Sequence, residues 1–587
     1  MAVIGSTPVD LTPGRRFIVA VSAGCAALLA VAVYVNALQN PFVYDDFRLI
    51  VENPSILNLW DLKFVIVRDI TRPLVNVSYA VDTMIWGRIP LGYHVTNLVL
   101  HAINVMLVFW VALFAADDRR RGASAAWTGG SPRVIGFTSA AVFAVHPMMT
   151  EAVGYITGRS EVLFTFFFLL GVLSGRRWML TGGRRWWMAC IAAWVAGVLA
   201  KETAAMLPAV LLAYDWFVLE GDRAERRRRF LRLELPMLAL ALTAGIGRIA
   251  VLKLIEFPGR PGADGRYALV EIEVLWRYLA LFLMPRGQSI FHAVPLIDSL
   301  VSVRAMVNVA ALAAWLSLAW WLRRAHGLAG FGLVWFILLL VPPAVLFTLG
   351  RGEAMVERRT YLPAMGLFLI VGYSFGGLWA RAGQRQRILA AGMAVVFVAS
   401  LGFLTVMRNV VWKDPVALTR EAARLAPGQW LPRVMVGEAF RQTGQCADAA
   451  EEYRAAIDLR PREEFPYTRL AGCLIEMREL DQAEDVLREL RAVNPQSQDA
   501  SMGLGVFALL EGRLAQARRY LREAVDRDPP RPRARVLLAF IDGTLPANER
   551  QGVCNDLRVV AGNTVGIEMC PSDSQQVDHD AGRSPSR

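Results

Sequence analysis

Two adjacent carboxylates, Asp45 and Asp46, close the run Asn40-Pro41-Phe42-Val43-Tyr44-Asp45-Asp46, directly after an apolar stretch. A carboxylate so placed can take the proton of an attacking hydroxyl; the plain alternative is a solvated acidic turn. Ionisable residues recur wherever other apolar stretches end: His146 to Glu151, Arg159 with Glu161, Lys201 with Glu202, and Glu357-Arg358-Arg359-Thr360-Tyr361-Leu362-Pro363. Cations in these positions can hold a phosphate, arginine by two parallel hydrogen bonds. The alternative for each is a structural ion pair with a neighbouring acid. His94, Asn97, His101 and Asn104 fall at i, i+3, i+7 and i+10, one face of a helix. Polar groups on an apolar helix turn toward a bundle interior or a wet cavity. Hydrogen bonding between helices accounts for His101 and Asn104, while His94, near the helix end, reaches toward a site.

The elements that must position these residues are membrane helices. The chain has 587 residues, 55% of them hydrophobic, with a formal charge of +12. Eleven segments approach the roughly 20 apolar residues a span requires: 17–38, 93–115, 134–153, 161–175, 186–200, 203–219, 232–252, 303–322, 330–349, 361–380 and 388–407. A further stretch, 268–285, carries Glu271, Glu273 and Arg277 and reads as amphipathic or re-entrant. The predicted topology places the N-terminus inside, the first helix as a retained anchor, and the C-terminus outside. Every inner loop then holds arginine, from Arg119-Arg120-Arg121 to Arg385 and Arg387, which is the positive-inside pattern. These loops account for the net charge, so it is a topological signal and not a nucleic-acid footprint.

After residue 412 the pattern changes. Pro427, Pro461, Pro495 and Pro529 stand 34 residues apart, and Ala449, Ala483 and Ala517 keep the same period. So do Tyr453, Leu487 and Leu521. A 34-residue period with small residues at these offsets marks tetratricopeptide repeats. Full repeats are expected at 430–463, 464–497 and 498–531, led by a half repeat at 415–427 and closed by a cap at 532–543. Such stacks bind extended peptides or partner proteins on a concave face. Residues 546–587 read as a tail, partly disordered. The fold class is therefore all-α: a polytopic membrane domain over 1–412, with the first outer loop at 39–92, and a repeat solenoid over 413–545. Of the six cysteines, Cys25 and Cys190 fall within spans. Cys554 and Cys570, near the end on the outer side, can form a disulfide, and Cys446 and Cys473, in adjacent repeats, can also pair; no zinc spacing is present.

The Asp45-Asp46 loop, the His94–Asn104 stripe, the His146–Glu161 run, Lys201-Glu202 and the Glu357–Pro363 run, joined to the repeats, resemble one family. It is the transmembrane and tetratricopeptide-repeat-containing O-mannosyltransferases with their bacterial relatives, of the GT-C superfamily of membrane glycosyltransferases. The resemblance covers about residues 17–545; the mammalian members carry more than three repeats. It implies a polyprenyl-phosphate-linked sugar donor, mannose being one candidate, and a hydroxyl acceptor, on an exported protein or peptide held by the repeats. The acid of the first outer loop would be Asp45 or Asp46, with a slight preference for Asp46. Arg159, Lys201 and Arg358, then Arg359, would hold the phosphate. Glu151, Glu161 and Glu202 would orient these cations or bind a divalent metal, Mg or Mn, which some members use and others do not. His94 and Tyr361 complete the expected substrate-binding set. Fifty-nine arginines against four lysines suit a GC-rich genome, and the implied setting is a bacterial inner membrane with extracytoplasmic repeats.

Two other readings meet the same sequence. A membrane-anchored repeat scaffold would need none of the Asp-Asp pair, the cations or the polar stripe. A lipid-linked sugar transporter would be expected to show an internal inverted repeat and broken helices near mid-membrane, whereas here the polar residues gather at the span ends.

Overall fold

The computed structural model describes residues 13–123, 127–251, 254, 265–297, 299, 301–349, 353–526 and 532–561. Among them there are helices and turns and no strand. The chain divides into two compact units, Met1–Leu418 and Thr419–Arg587.

In the first unit, α1 (Pro13–Tyr34) leads through short turns to α2 (Leu62–Arg68) and α3 (Pro73–Trp86), which lie outside the spans. Then follow α4 (Pro90–Ala123), α5 (Pro132–Val145), the single turn α6 (Thr150–Val153), α7 (Arg159–Thr181), α8 (Arg184–Ala200), α9 (Leu207–Phe217), α10 (Arg223–Arg229) and α11 (Leu235–Val251). The unit closes with α12 (Gly265–Leu283), α13 (Val303–Ala325), α14 (Gly327–Thr348), α15 (Ala364–Arg381) and α16 (Gln384–Val411). Among the described residues eight helical stretches are long and apolar enough to cross a membrane, and the protein is a polytopic membrane protein. All eleven expected segments are largely helical, but three fall short of that length. The segment 186–200 forms a 17-residue helix, and 203–219 divides into a 3-10 turn and an 11-residue helix.

The segment 134–153 breaks at His146, a correction with a clear cause. Pro147 disfavours helical backbone at the residue before it, and His146 adopts φ −74°, ψ 130°. Its Nδ1 accepts the Met148 N–H, so the ring proton sits on Nε2 and is donated to the Phe282 carbonyl at 3.0 Å. Burial pushes the His146 pKa down to about 4. α12 is amphipathic: Leu269, Val270, Val274, Tyr278 and Leu281 are buried along one face, while Glu273 pairs with Arg277 and Arg304.

The stretch Ile156–Thr181 is the most enclosed, 72% buried, and Arg223–Val251 the least, at 11%. The former thus belongs to the bundle centre and the latter to its rim. The centre is close-packed where side chains vanish: a Cβ on Gly332 would run into the Gly366 carbonyl, so α14 and α15 meet backbone to backbone. Because successive spans alternate in direction, loops 40–72, 146–161, 201–206 and 353–363 gather at one end. The arginine-rich turns gather at the other.

The second unit holds three helix pairs: α18 (Trp430–Gln442) with α19 (Cys446–Leu459), α20 (Glu464–Glu476) with α21 (Leu480–Val493), and α22 (Gln498–Leu510) with α23 (Leu514–Val525). α17 (Pro415–Leu425) precedes them; α24 (Pro532–Ile541) and α25 (Ala547–Ala561) follow. Ala449, Ala483 and Ala517 are fully buried between partners. Pro427, Pro461 and Pro495 each stand two residues beyond a helix end, where a helix cannot continue; Pro529 lies outside the described residues. The expected tail begins as helix α25, with Cys554 buried and disulfide-bonded; Cys570 lies outside the described residues. Cys446 and Cys473 are free thiols 2.9 Å apart.

Candidate functional site

The Asp45-Asp46 loop is strapped onto the turn that follows α6. Asn40 donates to the Gly154 carbonyl at 3.3 Å, and the Asp45 N–H donates to the Tyr155 hydroxyl at 3.0 Å. Asp46 is fully buried and is the buckle of the strap. One carboxylate oxygen accepts the Thr157 N–H (2.9 Å) and hydroxyl (2.5 Å), the other the Val43 N–H (3.0 Å). Burial pushes its pKa up to about 7, against the opposing pull of the Thr157 and Val43 hydrogen bonds. Tyr44, between the two ends, has φ +50°, a left-handed conformation that costs a non-glycine residue of order 1–3 kcal/mol. The result is that Asp45 turns outward: its side chain is 29% exposed and 3.8 Å from Arg48. Of the two carboxylates, Asp45 is the one a substrate can reach.

Arg358 lies over the same turn. Its backbone N–H and its Nη1 both donate to the buried Glu151 carboxylate, and its guanidinium sits 5.7 Å from the Tyr155 ring centroid. Tyr155 in turn stacks on Trp412 at 5.4 Å. Burial opposes the charge on Arg358, but Glu151, Tyr155, Glu353 and Asp45 outweigh it and raise its pKa. Burial holds the Glu151 and Glu353 pKa values above the ordinary carboxylate range, with Arg358 opposing in both. Arg358 is 22% exposed, and its Nε and Nη2 have no partner among the described residues. These donors are what an incoming anion would meet.

A second charged group comes from the α3 and α8 ends. Pro73 starts α3, which leaves Arg72 as the residue before its first turn; Arg72 reaches Glu202 at 3.4 Å. Lys201 pairs with buried Glu161 and lies 5.4 Å from the Phe164 ring centroid. Burial alone would raise the Glu202 pKa, but Arg72 and Lys201 reverse that and lower it. Burial lowers the Lys201 pKa, with Glu161 and Glu202 opposing. Arg358 also acts electrostatically on Arg72, so the two groups share one field.

Other expected site residues face inward. Arg159 is fully buried; it pairs with Asp82 at 2.7 Å and donates to Asn97, the Ser78 hydroxyl and the Tyr93 carbonyl. Its cation is consumed by the fold, which leaves nothing for a phosphate. His94 is buried, with Nε2 3.1 Å from the Asn40 carbonyl, and it anchors the start of the Asp45 loop. Tyr361 is buried, with its hydroxyl 2.7 Å from His101 Nδ1 and 3.3 Å from Asn104. Arg359 donates to the Glu353 carbonyl at 2.8 Å and lines, with Glu271, a separate apolar groove of about 300 Å³.

Arg72, Tyr155 and Glu353 belong to the site although the sequence reading did not select them. For Arg72 the signal was available, since a cation just before a helix-starting proline is held at a fixed exit angle. Glu357 accepts hydrogen bonds from the Ser289 N–H (2.6 Å), Gln288 (2.9 Å) and His292 (2.8 Å), so it ties the 286–292 segment to the Arg358 turn. Among the described residues no group of three His, Cys, Asp or Glu side chains converges as a metal cage.

Comparison with known proteins gives matches of two kinds, to a family model and to whole relatives. A Tetratricopeptide repeat family model matches residues 474–532. Protein O-mannosyl-transferase Tmtc1 of Drosophila melanogaster is 26% identical over 548 residues, covering 75% of this chain and 61% of the relative. Protein O-mannosyl-transferase TMTC1 of Homo sapiens is 25% identical over 77% of this chain and 57% of its own length. Protein O-mannosyl-transferase Tmtc3 of Drosophila melanogaster is 23% identical over 85% and 62%. The matches span about three fifths of these relatives' own length. Coverage of three quarters of the chain exceeds what the repeat unit alone supplies, so the chain is similar to the protein O-mannosyl-transferases through its membrane helices as well as its repeats.

Proposed function

We propose that the protein is a membrane glycosyltransferase that moves a sugar, mannose by likeness to its relatives, from a polyprenyl-phosphate donor to a hydroxyl of an exported protein on the extracytoplasmic face of a bacterial inner membrane. The observation that carries this reading is the meeting of one reachable carboxylate, Asp45, with the partly exposed guanidinium of Arg358 over a single turn. In the proposed step Asp45 takes the acceptor hydroxyl proton while the acceptor oxygen bonds the anomeric carbon. The bond from that carbon to the phosphate oxygen breaks, and the polyprenyl phosphate leaves with the bonding pair. Arg358, through its two uncommitted N–H-bearing nitrogens, and Arg72 stabilise the charge that develops on the phosphate. Phosphate is a sufficiently good leaving group that no second carboxylic acid is required. Asp46 holds the loop and Glu151 aims Arg358; the repeats bind the acceptor chain.

The test compares membranes containing wild type and Asp45→Asn for transfer of labelled mannose from polyprenyl-phosphate mannose to a serine- and threonine-containing peptide. Loss of a general base costs about 10²–10⁴-fold in rate, and a loss in that range is expected. Equal transfer by the variant refutes the role of Asp45. No transfer by wild type from any of several sugar donors favours a scaffold.

A further inference from the structure

The end of the bundle opposite Asp45 holds a feature that the proposed transfer does not use. The tips of α4, α7 and α13 and the α9–α10 turn line a half-open recess of about 2050 Å³. Ten of its lining residues are arginine and four are aspartate or glutamate. Part of that charge is internally matched. Arg176 makes a two-point pair with Asp118 at 2.5 and 2.6 Å, backed by the Tyr214 hydroxyl at 2.7 Å. Arg119 donates to the Arg324 carbonyl at 2.5 Å, and Arg229 pairs with Asp215 at 2.9 Å. Arg177, Arg228 and Arg324 also line the cavity, and their guanidinium groups have no ion-pair or hydrogen-bond partner among the described residues. The same walls carry Trp110, Phe114, Trp186 and Trp216.

We propose that this cavity binds the phosphate head group of an anionic membrane lipid. Arginine pairs with phosphate oxygens through two parallel hydrogen bonds, and three unmatched guanidinium groups around one recess supply that chemistry. The aromatic wall beside them fits an amphiphile, whereas a free inorganic phosphate would leave it unused. The volume also exceeds the roughly 300–1,000 Å³ of ordinary small-molecule pockets, which leaves room for a head group and the first part of its acyl chains. Arginine-rich span ends lie at head-group level on the cytoplasmic side, where anionic lipids are attracted to basic surfaces. Glu161 and Arg177 are on the same helix, α7, sixteen residues and about 24 Å apart, so this lipid is distinct from the proposed sugar donor.

The full chain, purified in detergent, is titrated separately with phosphatidylglycerol, phosphatidylcholine and sodium phosphate, with bound lipid read by native mass spectrometry and stability by thermal melting. Wild type is expected to retain phosphatidylglycerol over phosphatidylcholine. The triple variant Arg177→Gln/Arg228→Gln/Arg324→Gln is expected to lose on the order of 100-fold in phosphatidylglycerol affinity, with phosphatidylcholine retention unchanged. Equal retention of the two lipids by wild type, or unchanged affinity in the triple variant, overturns the proposal. Protection by sodium phosphate equal to that by phosphatidylglycerol overturns the lipid assignment in favour of a soluble anion. Should the triple variant melt early without lipid, Arg228→Gln alone, at an exposed position, is expected to lose about 5-fold in phosphatidylglycerol affinity, and unchanged affinity there overturns the proposal.

Discussion

Replacing Asp46 by asparagine separates the buckle of the candidate site from its chemistry. Burial raises the Asp46 pKa from the ordinary carboxylate range to about 7, so the folded loop holds a proton more tightly than the opened one. The stabilisation from this group is fully present below about pH 4 and is lost as pH rises through about 7. A difference of about 3 in pKa corresponds to about 4 kcal/mol, and the side chain is fully buried, so solvent screening takes little of it. Hydrogen exchange of residues 40–50 and 154–158 in nanodiscs, corrected for intrinsic rates, is the assay. Wild-type protection in both segments is expected to fall steadily between pH 5 and pH 8. Asp46→Asn keeps a neutral, similarly shaped group. It loses about 1 kcal/mol, because an amide N–H₂ faces the Val43 N–H, but its protection is expected to stay level with pH. Asp45→Asn is expected to keep the wild-type slope. If Asp46→Asn shows that slope too, or wild type shows none, burial of Asp46 is not what governs the strap.

Further outcomes follow from packing. Lys201→Met leaves Glu161 buried without its partner and is expected to cost about 3–5 kcal/mol, seen as a lower melting temperature. Lys201→Met/Glu161→Gln should recover most of the loss, and simple additivity of the two would contradict the pairing. In the repeats, a Cβ on Gly437 would meet the Tyr453 ring at 2.6 Å, whereas one on Gly472 meets nothing within 4 Å. Gly437→Ala is therefore expected to cost about 1–3 kcal/mol and Gly472→Ala to gain about 0.5–1 kcal/mol, measured by exchange protection of the corresponding helices. Cys446 and Cys473, at 2.9 Å, are expected to cross-link under a mild thiol oxidant such as diamide, read as a loss of alkylation at both residues; alkylation that persists at both would contradict the thiol geometry.

The 34-residue period and the long apolar runs were legible because they depend on residues close in sequence. Helix pairs in the repeats form where proline and alanine spacing places them, and the amphipathic character of 268–285 follows from its charges. The site was legible only as a set of span-end residues. Whether Asp45 or Asp46 faces outward depends on Thr157, 111 residues later, and no local pattern carries that. Arg159 looks like a phosphate ligand until Asp82, 77 residues earlier, is seen to hold it. The extent of the segment 134–153 erred for a local reason that hydropathy does not register: Pro147 breaks a run that remains apolar on both sides.

That break has a consequence for the floor of the site. Fourteen helical residues in α5 cover only about 21 Å, well short of the roughly 30 Å of hydrocarbon. Residues 146–158, which continue from it as 3-10 turns and the single turn α6, are buried throughout. The floor beneath Asp45 and Arg358, which includes Glu151 and Tyr155, is therefore built from this buried turn and not from a continuous span. That floor is walled off by the helices around it, because residues 139–145 of α5 and all of 146–158 are buried. Under the proposed transfer, the donor phosphate would meet Arg358 at the partly exposed edge of this buried floor.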